Sequence, residues 1–419
     1  MRKFKLPDFI PGESYIPVTG KVFDNEEIDN AIQAARDCWW TEGHFAKEFE
    51  ADFRNFLGVK YVSLVNSGSS ANLLAVSSLT SSIFGEKALK RGDEFITAAV
   101  GFPTTVNPAI TYGLKPVFVD VELKTLNIEA ERIEKAITKK TKLIMIAHTL
   151  GKPFNMDIIM PLVKKYNLWL IEDCCDALGT RFNGQLVGTF GHMATYSFYP
   201  AHQITMGEGG AVVTNNPLIY RSNRQFRDWG RDCWCAPGED NTCGTRFKWK
   251  LGDLPKGYDH KYIYSQIGFN LKLTDFQAAL GVAQLKKLPD FIEARKLNYK
   301  KWYDYFKKYE KFFIRLETDK KEDPCWFGFP IIVRPDAPFT RNELTEYLER
   351  NKIGTRNVFA GNLLRHPAYL NLKKRIIGKI VNADTIMSYA FWIGVFPGID
   401  KKRMEYMQSK IDEFMEKYV

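Results

Sequence analysis

Long apolar runs are missing from this chain of 419 residues. No stretch approaches the roughly 20 apolar residues that span a bilayer, so membrane insertion is not expected. The opening Met1-Arg-Lys-Phe-Lys-Leu-Pro carries positive charge but no apolar core segment, so no secretory leader is visible and a cytoplasmic location is expected. The cysteines are odd in number, seven, which does not suit a disulfide framework. Paired C-x-x-C knuckles of the zinc-ribbon type are absent. The net charge of +10 is not gathered into a tail or one face. Nucleic-acid binding would want a clustered basic face bearing aromatics, and a dispersed positive balance suits a small anionic substrate instead. The basic piece 372–379 reads as a solvated helix face. Internal repeats and low-complexity tracts are also lacking.

What is present is an ordinary globular composition, 45% hydrophobic and 26% charged, long enough to bury a sizeable core. Helical stretches are expected at 25–40 and up to Leu57. Short, continuously apolar segments at 61–65, 94–98, 115–120, 142–147 and 169–173 read as strands, with helices at 129–137 and 157–166 between them. This alternation predicts an α/β fold with a mostly parallel central sheet covered by helices on both faces. Residues 221–264 are rich in Trp, Gly, Arg and Asp and show little periodicity; their aromatics argue for order. Helices are expected at 275–287 and 289–308, then a strand at 327–333. A large domain over 1–288 and a smaller α+β domain over 289–419 follow from this pattern.

Ligands of such sheets sit beyond the carboxyl ends of the strands. Four features fall there in order. Ser67-Gly68-Ser69-Ser70 joins a strand to a helix, a place where free backbone N–H groups and the helix dipole attract anions. Phe102 and Asp173 each follow or end a strand. The stretch from Ser197 to Gly210 is a strand–loop–strand that holds His202 on a short tether. A pyridoxal-type cofactor needs such a set: phosphate donors, a flat side chain against its ring, a carboxylate at its pyridinium nitrogen and a base near its reactive carbon. Taken singly, Ser67 could be a plain helix cap, Asp173 a cap and Phe102 core.

In this order the features resemble the sugar aminotransferase family of fold type I, over nearly the whole chain. The resemblance implies that Gly68, Ser69, Ser70 and Ser197 hold the cofactor phosphate, that Phe102 stacks on the ring and that Asp173 pairs with the ring nitrogen. Asp176 stands where the family more often has Gln or His and would lie near the ring hydroxyl. Asn270, in Gly-Phe-Asn270-Leu-Lys-Leu-Thr, is similar to a family asparagine that reaches the phosphate in a neighbouring subunit, which implies a homodimer. His202 occupies the position of the family's cofactor-tethering lysine. Imidazole cannot take over that covalent role, so the cofactor would be held non-covalently as pyridoxamine 5'-phosphate, with His202 either a degenerate residue or the base of a different reaction.

Cys175, Cys233, Cys235 and Cys243 are separated by 57, 1 and 7 residues. Four thiolates are the number an iron–sulfur cluster takes, although this spacing matches no standard cluster run, and buried thiols are the alternative. The same spacing, with the histidine, resembles the branch of cluster-bearing 3-dehydrases within that family. This implies a [2Fe–2S] cluster, a CDP-linked 4-keto-6-deoxyhexose substrate, an NADH-dependent flavin/iron–sulfur reductase as partner and a role in 3,6-dideoxyhexose and lipopolysaccharide O-antigen synthesis. Cys174 is the competing ligand beside Cys175; Cys38 and Cys325 read as ordinary thiols. Arg227, Arg231 and Arg356 are the candidates for the substrate's diphosphate, and His366 is a second histidine without an assigned role.

Overall fold

The computed structural model describes residues 6–20 and 22–419; the basic opening, residues 1–5, lies outside them. Strands β1 (Tyr61–Val65), β2 (Glu94–Ala98), β3 (Lys115–Val119), β4 (Thr141–Ala147) and β5 (Trp169–Asp173) enter one eight-stranded sheet. Its order is β1, Gly210–Thr214, Met193–Ser197, β5, β4, β2, β3, Arg375–Ile377. Only Gly210–Thr214 runs against the others. The apolar continuity of these strands has a direct cause. Ile144 and Ile146 enter one hydrophobic core, whereas Leu143 and Met145 enter the core on the opposite face. A sheet covered on both sides has no polar face to encode.

The parallel direction brings several strand ends to one edge. β1 leads through Ser67 into the helix Gly68–Ser78, β5 ends at Asp173, and Met193–Ser197 ends at Ser197. The expected active-site edge is thereby assembled from chain segments more than a hundred residues apart.

Four expectations need correction. The segment 372–379 is not a helix face: Arg375–Ile377 pairs in parallel with β3, and Arg375 donates to the buried Glu94 carboxylate at 2.6 Å. The irregular segment starts later than residue 221, because the helix Pro217–Arg227 occupies its first part and buries Ile219 and Phe226. Helices 275–287 and 289–308 are one helix, Asp275–Tyr305, running through Pro289. A helix-interior proline costs about 3 kcal/mol. Packing against the helices Asn25–Arg36 and His44–Leu57 offsets that cost. The contact is specific at its start: Gly43 N and Ala46 N both donate to Asp275 Oδ1 at 2.9 Å, so the cap of His44–Leu57 comes from the neighbouring helix. The first helix also stops at Arg36, short of the expected residue 40.

A smaller antiparallel sheet joins Phe313–Ile314, Gly328–Val333 and Ala390–Gly394. The segment after Arg227 is ordered by its aromatics and charges. His260 stacks on Trp249 at 4.6 Å, Trp234 meets both edge-on, and Arg246 pairs with Asp259 through two hydrogen bonds at 2.8 and 2.6 Å. Among the described residues no helix is long and apolar enough to cross a membrane.

Candidate active site

A cavity of about 460 Å³ opens at the carboxyl edge of the sheet. Its lining includes Gly68, Ser69, Phe102, Asp173, Asp176, Ser197 and His202, and Cys175 joins them. These eight, with Arg356 in the same lining, come from the sequence-derived set. Ser70, Asn270, Cys233, Cys235 and Cys243 do not line it.

Ser67 accepts from Ser70 N at 3.1 Å and its hydroxyl donates to Ser70 Oγ at 3.0 Å, so the serine run caps the helix Gly68–Ser78. The Ser70 N–H is therefore spent on the cap, the Ser70 hydroxyl keeps a proton to donate, and Gly68 and Ser69 face the cavity. The helix start lies hard against the end of Met193–Ser197: a Cβ on Gly68 would fall 2.4 Å from Ser197 Cβ. Glycine is required there because the two backbones nearly touch, and this closeness places Ser197 beside the free N–H groups of the helix.

Asp173 is held on three sides. Its Oδ2 accepts from Thr105 Oγ1 at 2.7 Å and from Asn72 Nδ2 at 2.9 Å, and its Oδ1 accepts from Cys175 N at 3.2 Å. Asn72 is fixed in turn by Thr195 Oγ1, which donates to its Oδ1 at 2.6 Å. Asn72 lies four residues after Gly68, on the same helix face. Only donors surround the Asp173 carboxylate, which suits it to face a cation.

His202 is anchored on both sides along the chain. Thr19 donates to Ala201 O at 2.7 Å, Arg295 Nη2 donates to His202 O at 3.0 Å, and Gln203 Nε2 donates to Asp176 O at 2.6 Å. Its ring lies 5.2 Å from Phe327. Its Nδ1 sits 3.6 Å from Asp176 Oδ1. Burial, followed by the nearby Arg295 guanidinium, pulls the imidazole down to about 3, so the ring is neutral at neutral pH. Burial, helped by the charge of Asp173, pushes the Asp176 carboxyl up to about 8, so this group keeps its proton there.

The four cysteines divide between two places. Cys175 is in the cavity, and burial pushes its thiol well above the ordinary range. Cys233, Cys235 and Cys243 surround a separate, much smaller cavity with His260 and Arg246. Burial raises the Cys235 thiol, but hydrogen bonding with Thr242, Cys233 and Cys243 together outweighs it and leaves the group below its ordinary value. Among the described residues the four cysteines do not line one common cavity. The physical reason is attachment: Cys175 is fixed just past β5, whereas the others ride on the separate irregular segment. Among the described residues, the convergent metal-ligand set is His148, Glu172 and Cys174. It is already satisfied without a metal. Phe154 N donates to His148 Nδ1, which leaves Nε2 to donate to Glu172, and Glu172 also accepts from Gly188, Phe190 and Gly191 N–H groups.

Asn270 is exposed and accepts from Lys272 Nζ at 2.7 Å. His366 donates its ring nitrogen toward Ala360 O at 2.6 Å, away from the cavity lining. Sequence reasoning missed Asn72, Thr105, Phe327 and Arg295. The helical spacing from Gly68 to Asn72 was the one local signal; the rest arrive from distant segments.

The lipopolysaccharide biosynthesis protein RfbH of Salmonella typhimurium is 53% identical over 406 residues, covering 97% of this chain and 93% of that protein. The dTDP-4-dehydro-2,6-dideoxy-D-glucose 3-dehydratase of Saccharopolyspora spinosa is 48% identical over 416 residues, covering 99% and 90%. Among solved structures, E. coli GDP-4-keto-6-deoxy-D-mannose-3-dehydratase with bound hydrated PLP superposes with a TM-score of 0.84 at 30% identity, covering 95% of this chain and all of that one. The fold is the fold type I arrangement of pyridoxal-phosphate-dependent transferases. Residues 21–412 match the family's model, and the chain belongs to the DegT/DnrJ/EryC1/StrS aminotransferase family.

Proposed function

We propose that this chain is a nucleotide-sugar 3-dehydratase that works with pyridoxamine 5'-phosphate. One observation carries the reading: the residue presented to the cavity by the tethered loop is a neutral histidine, and the loop from Phe198 to Gly209 contains no lysine. The cavity fits such a cofactor on its own geometry. Gly68, Ser69 and Ser197 crowd one end as anion donors, Asp173 offers an oxygen ringed by donors, and the exposed Phe102 face lies alongside. Two atoms near the reacting end, His202 Nδ1 and Asp176 Oδ2, have no hydrogen-bond partner among the described residues.

When bound, the cofactor supplies an electron sink and the amine that engages the 4-keto group. The residues divide the remaining work. Asp173 holds the pyridinium end. The helix start and Ser197 hold the phosphate. His202, neutral at working pH, takes a proton from carbon and can hand it to the hydroxyl oxygen leaving C3. Its Nδ1 is turned to Asp176, which leaves Nε2 for this exchange. Asp176 stores a proton beside the ring and can release it when the imidazole becomes charged. The anchoring hydrogen bonds on Ala201, His202 and Gln203 keep the base from drifting, since small misplacements are expensive in rate.

The fuller proposal is a CDP-linked 4-keto-6-deoxyhexose substrate, a homodimer in which Asn270 reaches the neighbouring site, and a [2Fe–2S] cluster on Cys175, Cys233, Cys235 and Cys243 fed by an NADH-dependent flavin/iron–sulfur reductase. The thiols of a single chain do not form a four-sulfur set, so no electron step follows from this geometry. Their separation favours a second reading, dehydration at C3 without a cluster.

The test uses purified protein with pyridoxamine 5'-phosphate and CDP-, dTDP- and GDP-linked 4-keto-6-deoxyhexoses. Loss of water from C3, followed by mass spectrometry and NMR, is expected, fastest with the CDP sugar, and abolished in His202→Asn. Transfer of an amino group from glutamate without loss of the C3 oxygen would sink the dehydratase reading. Anaerobic purification with iron and acid-labile sulfide analysis and EPR separates the two cluster readings.

A further inference from the structure

The cavity is short of positive charge for the substrate proposed above. A cofactor phosphate and a nucleoside diphosphate are both anions, yet Arg356 is the one Lys or Arg among the described residues that line the cavity. The other candidates are committed elsewhere. Arg227 is fully buried and donates through Nη1 and Nη2 to Glu42 at 2.8 Å each. Removing one partner of such a buried pair leaves an uncompensated buried charge, so Arg227 serves the fold. Arg231 lies over the Trp229 ring at 4.9 Å, outside the cavity. Arg295 is buried behind His202 and spends its N–H groups on the carbonyls of Trp326, Phe327 and His202.

Arg356 faces the cavity, with one Nη1 donor spent on the Thr355 carbonyl at 2.7 Å. Its backbone is pinned by a reciprocal pair of hydrogen bonds with Trp392, at 3.1 and 2.7 Å. Its side chain is 59% exposed. The nearest carboxylate, Glu349, is 3.9 Å away and already accepts from Thr355 N and Oγ1 and from Tyr15 OH. The guanidinium thus has no bidentate carboxylate partner among the described residues, and its planar fork is the geometry that phosphate oxygens match. Between it and the base lies an aromatic ramp: His202 to Phe327 is 5.2 Å between ring centres, and Phe327 to Trp392 is 5.2 Å. A hexose over these rings would have its reacting carbons toward His202 and its anomeric oxygen toward Arg356. The helix start at Gly68, by contrast, serves an anion on the sheet side.

We infer that Arg356 is the ligand of the substrate's diphosphate, with the sugar lying across Phe327 and Trp392 and the cofactor phosphate held separately by Gly68, Ser69 and Ser197. This assignment rests on the proposed function. It predicts recognition of the diphosphate irrespective of the base, so Arg356 sets affinity and not which nucleotide is preferred.

The experiment compares wild type, Arg356→Gln and Arg356→Lys, each loaded with pyridoxamine 5'-phosphate. CDP, dTDP, GDP and the corresponding nucleosides are titrated by calorimetry, and the cofactor itself by absorbance. Arg356→Gln is expected to weaken all three nucleoside diphosphates at least tenfold, leave the nucleosides unchanged, and change cofactor affinity less than twofold. Arg356→Lys, which keeps the charge but loses the fork, should fall between. KM for the nucleotide sugar should rise more than kcat falls. Unchanged diphosphate affinity in Arg356→Gln overturns the assignment, and so does an equal loss of cofactor affinity, which would give Arg356 to the cofactor phosphate. A wild type that dehydrates the sugar while Arg356→Gln keeps its KM removes this inference alone; a wild type that neither binds nor dehydrates removes the function first.

Discussion

The Nδ1 atom of His202 lies 3.6 Å from Oδ1 of Asp176, and their proton affinities are inverted relative to the free side chains, about 3 for the histidine and about 8 for the aspartate. Near neutral pH both groups are therefore uncharged, the carboxyl holding its proton and the imidazole lacking a second one. An unfolded aspartate gives up its proton near 3.9. Between that value and about 8 the folded chain binds the extra proton, so this contribution to stability is fully present at low pH and is lost as pH rises through about 8. Asp176→Asn removes the slope. Its stability relative to wild type is expected to rise from about pH 5 to about pH 8 by at least about 1 kcal/mol, given about 1.4 kcal/mol per pH unit for one proton. Denaturant unfolding of both proteins across that range measures it. A difference that stays flat with pH would mean that Asp176 is ionised throughout.

The Thr195–Asn72–Asp173 chain makes a second prediction, about aim and not charge. Asn72 is buried and joins two buried polar groups. Asn72→Ala leaves the Thr195 hydroxyl without its acceptor and removes one donor from Asp173, a change worth about 1–3 kcal/mol. Thr195→Val should cost a similar amount by orphaning Asn72 Oδ1. The double variant should be less destabilised than the sum, because the partners share one hydrogen bond. Pyridoxamine 5'-phosphate affinity should fall severalfold in Asn72→Ala with Phe102 and Ser197 unaltered. Additive stability losses together with wild-type cofactor affinity would show that Asn72 does not position Asp173.

Legibility in the sequence followed how local each feature is. Ser67 to Ser69, Asp173 and Ser197 could be read because each sits at the end of a short apolar strand, and the sheet direction then brings them together. His202 could be read because its tether is bounded by two such strands. Asn72 was half-legible, one helical turn beyond Gly68. Phe327 and Arg295 were not, since they come from chain far beyond the sheet and meet the site only through tertiary packing; Arg356 could be read only as one of three candidate arginines, and packing singles it out. Pro289 misled for the opposite reason: its local rule is sound, but the packing of Asp275–Tyr305 overrides it. The basic run near 375 looked solvated, yet an open sheet edge and the buried Glu94 draw it into a strand. The cysteines mark the limit. Spacing along a chain says nothing about whether Cys175 and Cys243 share a cavity, and here they do not.

The contact between Gly68 and Ser197 leaves no room for a single added methyl group at the anion end of the cavity. A Cβ at position 68 would lie 2.4 Å from Ser197 Cβ, 2.7 Å from Ser197 Oγ and 3.1 Å from Ser197 Cα, and no rotamer relieves a clash with Cβ or Cα. Gly68→Ala must therefore push the helix Gly68–Ser78 away from the strand Met193–Ser197 and widen the anion site. Overpacking of this kind costs about 1–3 kcal/mol. The variant is expected to melt several degrees lower and to bind pyridoxamine 5'-phosphate at least tenfold more weakly. Ser197→Gly in the same chain removes the Cβ and Oγ contacts but leaves the Cα approach. It should recover part of the melting temperature and none of the affinity, because the Ser197 hydroxyl is then gone. Recovery of both would mean that Ser197 holds no phosphate; recovery of neither would mean that Gly68 is needed for a reason other than its closeness to Ser197.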